Sequence, residues 1–176
     1  LRWSGTIHEV RDELELDADQ YPDAAVLAFI HIESSGDPHA RRPGSAFHGL
    51  MQIARPYMKD AFYSDDVDPG ELMGNGALSV ETFLRYMERY SEWHDYDPIM
   101  MAVAHKGGCS TAKTADLLED AGRDIDEAIA IAGKKHRVPR LELYVERYRA
   151  ALTAYGEWVD KQNGPLGVCA NEVLDG

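Results

Sequence analysis

Pro22-Asp23-Ala24-Ala25-Val26-Leu27-Ala28-Phe29-Ile30-His31-Ile32-Glu33-Ser34, running into Ser35-Gly36-Asp37-Pro38, is the stretch from which the rest of the chain is read. Pro22 suits a helix start, because the first turn leaves its N–H positions unbonded in any case. Asp23–Ser34 then predicts an apolar helix. Gly36-Asp37-Pro38 predicts its end, since Pro cannot continue a helix and disfavours helix in the residue before it. Helical periodicity puts Glu33 on one face with Ile30, Phe29 and Val26, at spacings of three, four and seven. A carboxyl closing an apolar stripe is an odd choice for stability. Burial there disfavours the charged form, and the helix C-terminus adds partial negative charge, so both push its pKa up. An acid still protonated near neutral pH can donate to a leaving oxygen, as cleavage of a glycosidic bond requires. The competing reading of the same pattern is a Glu at a frayed helix end, facing water.

Outward from this stretch, nearly every periodic segment reads as helix. Ile7 to about Leu16 is short and amphipathic, Ala54–Tyr63 is short, and Ala77–Trp93 is long. Ile99–His105 stops at Gly107-Gly108, Ser110 is placed to cap a helix reaching Asp120, and Asp124–Ala132 is a further short one. Pro139 opens the last long helix, to about Asp160. Residues 36–48 read as a loop and Ser64–Gly70 as an acidic turn. No alternating run marks a strand, with a small hairpin in 36–53 left open. The expected architecture is mainly α, about seven to nine helices. One domain covers 22–160, preceded by a helical extension over 1–21 and followed by a tail over 161–176.

Composition narrows the function classes. Of 176 residues, 44% are hydrophobic and 28% charged, ordinary for a globular domain. The apolar runs Ala24–Ile30 and Ile99–Ala104 fall well short of the roughly 20 residues that span a bilayer, so no membrane insertion is expected. A net charge of −13 argues against a nucleic-acid partner, which needs a basic footprint. Basic residues gather at Arg41-Arg42 and at Lys134-Lys135-His136-Arg137 with Arg140, read as solvated surface or as a less acidic binding face. His31, His39 and His48 lie around Glu33 in sequence without metal-ligand spacing, so neither metal nor cofactor is expected. Cys109 and Cys169 read either as one bridge pinning the tail or as two free thiols.

Glu33-Ser34-Ser35-Gly36-Asp37-Pro38-His39-Ala40, followed by Gly49-Leu50-Met51-Gln52-Ile53, resembles the first signature of the goose-type lysozymes and soluble lytic transglycosylases. There a Glu-Ser pair precedes a Pro-x-Ala loop and then Gly-Leu-Met-Gln with an aliphatic residue; the spacing here is about one residue longer, which a loop absorbs. Asn75, leading into the helix with Phe83-Leu84, is similar to the family's Asn-start helix. Ala102-Val103-Ala104-His105-Lys106-Gly107-Gly108 stands where the family has Ala-Tyr-Asn-(Ala/Gly)-Gly. Val138-Pro139 and Tyr144-Val145 resemble its closing motif, with Glu142 closer to Tyr144 than the family's Glu. The resemblance spans roughly residues 22–150. Its main departure is His105-Lys106 in place of Tyr-Asn; a Lys beside Glu33 would favour the ionised carboxylate and oppose the pKa rise.

The resemblance implies a lysozyme-like α domain around a catalytic cleft, acting alone or within a larger protein on peptidoglycan glycan strands. Glu33 would protonate the oxygen between N-acetylmuramic acid and N-acetylglucosamine. Tyr144 would orient Glu33 by a hydrogen bond, and Ser34 or Ser35 would support the carboxyl or the sugar. Gly49, Met51, Gln52, His48, His105 and Lys106 would line the groove, with Gln52 contacting an acetamido group. Lytic transglycosylases work with a single Glu and leave a 1,6-anhydro sugar; hydrolytic relatives position a water instead. A third reading is an inactive peptidoglycan-binding or virion structural domain, favoured by His105-Lys106. The expected place of action is the periplasm or cell wall. The start at Leu1 without Met, with no signal segment, fits a domain cut from a larger phage structural protein, with a phage endolysin and a bacterial autolysin as the alternatives.

Overall fold

The computed structural model describes residues 2–163 except Arg42 and His94, and the side chains through residue 160. Cys169, Arg42 and the expected tail beyond 163 lie outside the described residues. Eight α-helices occur among those described: α1 Ser4–Glu13, α2 Asp23–Ser34, α3 Arg55–Phe62, α4 Gly76–Arg89, α5 Pro98–Gly107, α6 Cys109–Asp120, α7 Ile125–His136 and α8 Leu141–Asn163. Short 3-10 turns at Pro69–Leu72 and Ser91–Trp93 precede and follow α4. The protein is therefore mainly α.

α2 is the core of the molecule. Ala25 through Ile30 are buried in an unbroken run, as in a helix enclosed on most sides. Its most extensive partner is α8, while α1 crosses its beginning. Arg11, itself buried, donates to the Tyr21 carbonyl and to the Asp23 carboxylate, both at 2.9 Å, so the charge that α1 buries is paired at the N-terminus of α2. Ile7 and Val10 of α1 belong to the same hydrophobic core, so the expected extension over 1–21 is packed into the domain.

The segment 36–53 forms no hairpin among its described residues. One isolated antiparallel bridge, His48–Ile53, is the extent of its β-structure. The loop's backbone groups are satisfied by turns instead, with Gly49 N–H donating to Ala40 and Gln52 N–H donating to Gly49. Several boundaries differ from expectation: α1 runs Ser4–Glu13 rather than from Ile7 to about Leu16, and α4 ends at Arg89 rather than Trp93. Gly108, not Ser110, occupies the cap position of α6 and Cys109 already begins the helix. α7 runs to His136 rather than Ala132, because Gly133 lies under Leu141 of α8.

Trp3 fastens α1 to both neighbours of the loop. Its Nε1–H donates to the Gly36 carbonyl at 3.1 Å, and its ring covers Gly76 at the start of α4. A Cβ on Gly76 would sit 2.1 Å from Trp3 Cζ3. Alanine in a helix is normally worth about 1 kcal/mol over glycine. Here Gly76→Ala is expected to destabilise instead, by about 1–3 kcal/mol through overpacking. Thermal melts with tryptophan fluorescence check this; a raised melting temperature with unchanged emission would refute the contact.

Candidate functional site

Glu33 lies in the last turn of α2, just before the backbone turns left-handed at Ser35 (φ 55°). The carbonyls of His31 and Ile30 are taken up by the N–H groups of Ser35 and Gly36. Ser34 closes the turn further, its hydroxyl donating to Ile30 O at 3.1 Å and accepting from Gly36 N–H at 3.2 Å. Ser34 thus supports the helix end that carries Glu33, and Ser35 is the exposed residue at its cap.

Three side chains from two other helices converge on the Glu33 carboxylate, which is 17% exposed. Tyr144, in the first turn of α8, donates its hydroxyl proton to Oε1 at 2.6 Å. His105, near the end of α5, brings Nε2 to 3.4 Å from the same oxygen, an ion-pair approach rather than a tight hydrogen bond. Lys106, exposed, extends over the Tyr144 ring, with Nζ 5.3 Å from its centroid.

These contacts reverse the direction expected for Glu33. Burial does push its carboxyl up, and that is the largest single influence. The contact with His105 and its charge, the hydrogen bond from Tyr144 and the charge of Lys106 together outweigh it and hold the group below its ordinary 4.5. In the free protein the carboxylate is therefore ionised at neutral pH. Burial, followed by the charge and hydrogen bond of Glu33, pushes the phenol of Tyr144 well above its ordinary range, so it remains a donor.

His105 is itself enclosed. Its side chain is 5% exposed, its Nδ1 lies 3.3 Å from the Tyr57 hydroxyl of α3, and its ring has those of Phe29, Phe83 and Tyr57 as neighbours at 5.3–5.5 Å. Tyr57 was not anticipated from sequence, where 48 residues separate it from His105 and no motif links them.

The Gly49–Gln52 segment sits differently from expectation. Met51, expected in a groove lining, is fully buried in the core. Gln52, expected to meet an acetamido group, donates its amide nitrogen to Ala40 O at 2.8 Å and Gly49 O at 2.9 Å, so both hydrogens are engaged within the loop. Gly49 is buried with φ +71°, and a Cβ there would lie 2.6 Å from Leu72 O. The signature thus folds the loop tightly against Pro69–Leu72. His48 is half-buried and pairs Nδ1 with Ala46 O at 3.0 Å.

Cys109 has no disulfide partner among the described residues, and its Sγ lies 2.9 Å from the Tyr86 hydroxyl. Lys134, Lys135 and His136 occupy the last turn of α7, where cations complement the helix dipole. Lys134 and Arg137 help line a groove of about 610 Å³ with Glu127 and Glu142, and no member of the Glu33 group borders it. Two smaller grooves, of about 520 and 250 Å³, also lack the Glu33 group. Volume therefore does not single out a site, whereas the polar convergence on Glu33 does. Among the described residues, no cluster of His, Cys, Asp and Glu is arranged to hold a metal ion. No protein family matches the chain, and no curated protein matches it significantly.

A folded-state value below the ordinary one means that ionised Glu33 contributes stability above about pH 4.5, lost as pH falls through the folded value. Tyr144→Phe removes one contact holding the value down. It is expected to cost about 1.5–3 kcal/mol near pH 7, the range for a hydrogen bond to a charged group, and clearly less near pH 3. Urea unfolding at both pH values tests this; an equal cost at both would show that Tyr144 does not act on the carboxylate.

Proposed function

We propose that this protein cleaves the glycan strands of bacterial peptidoglycan between N-acetylmuramic acid and N-acetylglucosamine, as a lytic transglycosylase with Glu33 as its acid and base. The observation that carries the reading is the carboxylate of Glu33 at a half-buried helix end, held by Tyr144 at 2.6 Å. That is the pairing the resemblance implies, between residues 111 apart in sequence. The groups acting most strongly on Glu33 are His105, Tyr144 and Lys106, none of them a carboxylate. This supports a single-carboxylate reaction over the ordinary two-carboxylate hydrolysis.

In the proposed reaction Glu33 protonates the scissile oxygen as the C1–O bond breaks. It then accepts the proton of the muramyl 6-hydroxyl as that oxygen closes on C1. A glycan lying over Glu33 would remove water from the carboxylate and strengthen the upward push that burial already exerts. Ionisation in the open site is therefore compatible with an acid role in the covered one, provided a proton is at hand.

Glu33→Gln is expected to lower the lysis of purified cell walls by about 10²–10⁴-fold, the range for general acid–base catalysis, while the protein keeps its helical circular dichroism at the assay temperature. Retained lysis would sink the assignment. Mass spectrometry of the released muropeptides separates the routes. Anhydro ends, lighter by one water than hydrolytic ends, are expected, and reducing ends would favour a hydrolase. Glycan binding without lysis by the wild type would favour a binding domain.

A further inference from the structure

Glu33 alone leaves the proposed reaction short of a proton, because its carboxyl is held ionised in the open site. The side chain placed to supply one stands at the position where the chain departs from the family pattern. We propose that His105 stores the proton with which Glu33 acts: the two side chains share one proton, which rests on the imidazole in the open site and moves to the carboxylate when a bound sugar covers it. This rests on the glycan-cleaving reading above.

The geometry supports the pairing on both sides of the ring. Nε2 faces Glu33 Oε1 at 3.4 Å, and Nδ1 faces the Tyr57 hydroxyl at 3.3 Å. As an imidazolium, His105 carries an N–H on each side, Nε2 at ion-pair distance from Glu33 and Nδ1 at hydrogen-bond distance from Tyr57. When the Nε2 proton leaves, Nδ1–H still donates to the Tyr57 oxygen, so no ring flip or tautomer exchange is needed. Phe29, Phe83 and Tyr57 box the ring, and Tyr144 stacks at 6.5 Å, so its approach to Glu33 is fixed.

The other ionisable groups around the pair do not compete for this proton. Tyr57 of α3 and Tyr144 of α8 are pushed well above the ordinary phenol range, chiefly by burial, and stay protonated. Tyr86 of α4 stacks on Tyr57 at 3.6 Å and meets Cys109 of α6; burial raises both groups. Lys106, on α5 itself, contributes positive charge at Glu33.

The direction of transfer follows from solvent. An imidazolium–carboxylate pair is favoured while water reaches it. Excluding that water raises the cost of separated charge and favours the neutral acid beside a neutral imidazole. The cycle balances. The Nε2–H bond breaks as Oε1–H forms, and Glu33 gives that proton to the glycosidic oxygen. The 6-hydroxyl then returns one to Glu33, and on product release it goes back to His105.

The test is the pH profile of peptidoglycan lysis by the intact protein and by His105→Gln, which keeps an N–H donor but cannot carry the extra proton. The variant should approach wild-type rates in acid, then lose about tenfold per pH unit above the titration of Glu33 itself, while the wild type holds its rate toward neutrality. A uniform loss across pH, or no loss, would overturn the proposal and leave the glycan-cleaving reading intact. No lysis by the wild type would remove both. Should the variant not fold, ring ¹⁵N NMR of the wild type at pH 5.5 decides. Two protonated nitrogens on His105 are expected, and a neutral ring there overturns the idea.

Discussion

Phe29 lies where α2 meets three other helices. Its ring is 4.4 Å from that of Tyr148 on α8, 4.6 Å from Phe83 on α4 and 5.3 Å from His105 on α5. Such contacts add about 0.5–1.5 kcal/mol each beyond the area they bury. Their larger effect is positional. Phe29 is one helical turn before Glu33, so the rings that lock it also fix where α5 and α8 bring His105 and Tyr144. The polar site is thus built on the last turn of an apolar assembly. Phe29 and Tyr148 are fully buried, and the protein packs there too tightly for one helix to shift alone.

The carboxylate shows opposed influences in direct competition. Burial alone would make Glu33 a neutral acid, yet hydrogen bonding and neighbouring charge hold it ionised. The balance depends on how much water reaches the group. A carboxyl held down by donors at a partly exposed helix end differs in this from one enclosed in an apolar pocket.

The helices were legible where local chemistry and packing agree. Pro22 and Gly36-Asp37-Pro38 bracket α2, and its observed span, Asp23–Ser34, follows from them. They were less legible where tertiary contacts override propensity. The helix expected to end at Ala132 continues through Gly133, which packs under Leu141, to His136. At the site, the pairing of Glu33 with Tyr144 followed from motif resemblance. The direction of the Glu33 shift did not follow from periodicity, because periodicity sees the apolar stripe of α2 and not the donors brought from α5 and α8. Gln52 and Met51 sit differently from expectation for a similar reason. A motif marks which residues recur, and here those two hold the loop closed and fill the core beneath it.

The hydroxyl that completes the carboxylate site sits near the beginning of the last helix described, α8. A nascent chain leaving the ribosome therefore has α2 in hand long before it has Tyr144, and α2 lacks its principal packing partner until α8 emerges. The acidic end of α2 can be neither shielded nor oriented by that partner until α8 has emerged. Long-range closure of this kind is slow relative to local helix formation. The carboxylate of Glu33 thus gains its shortest hydrogen bond only once α8 has joined α2.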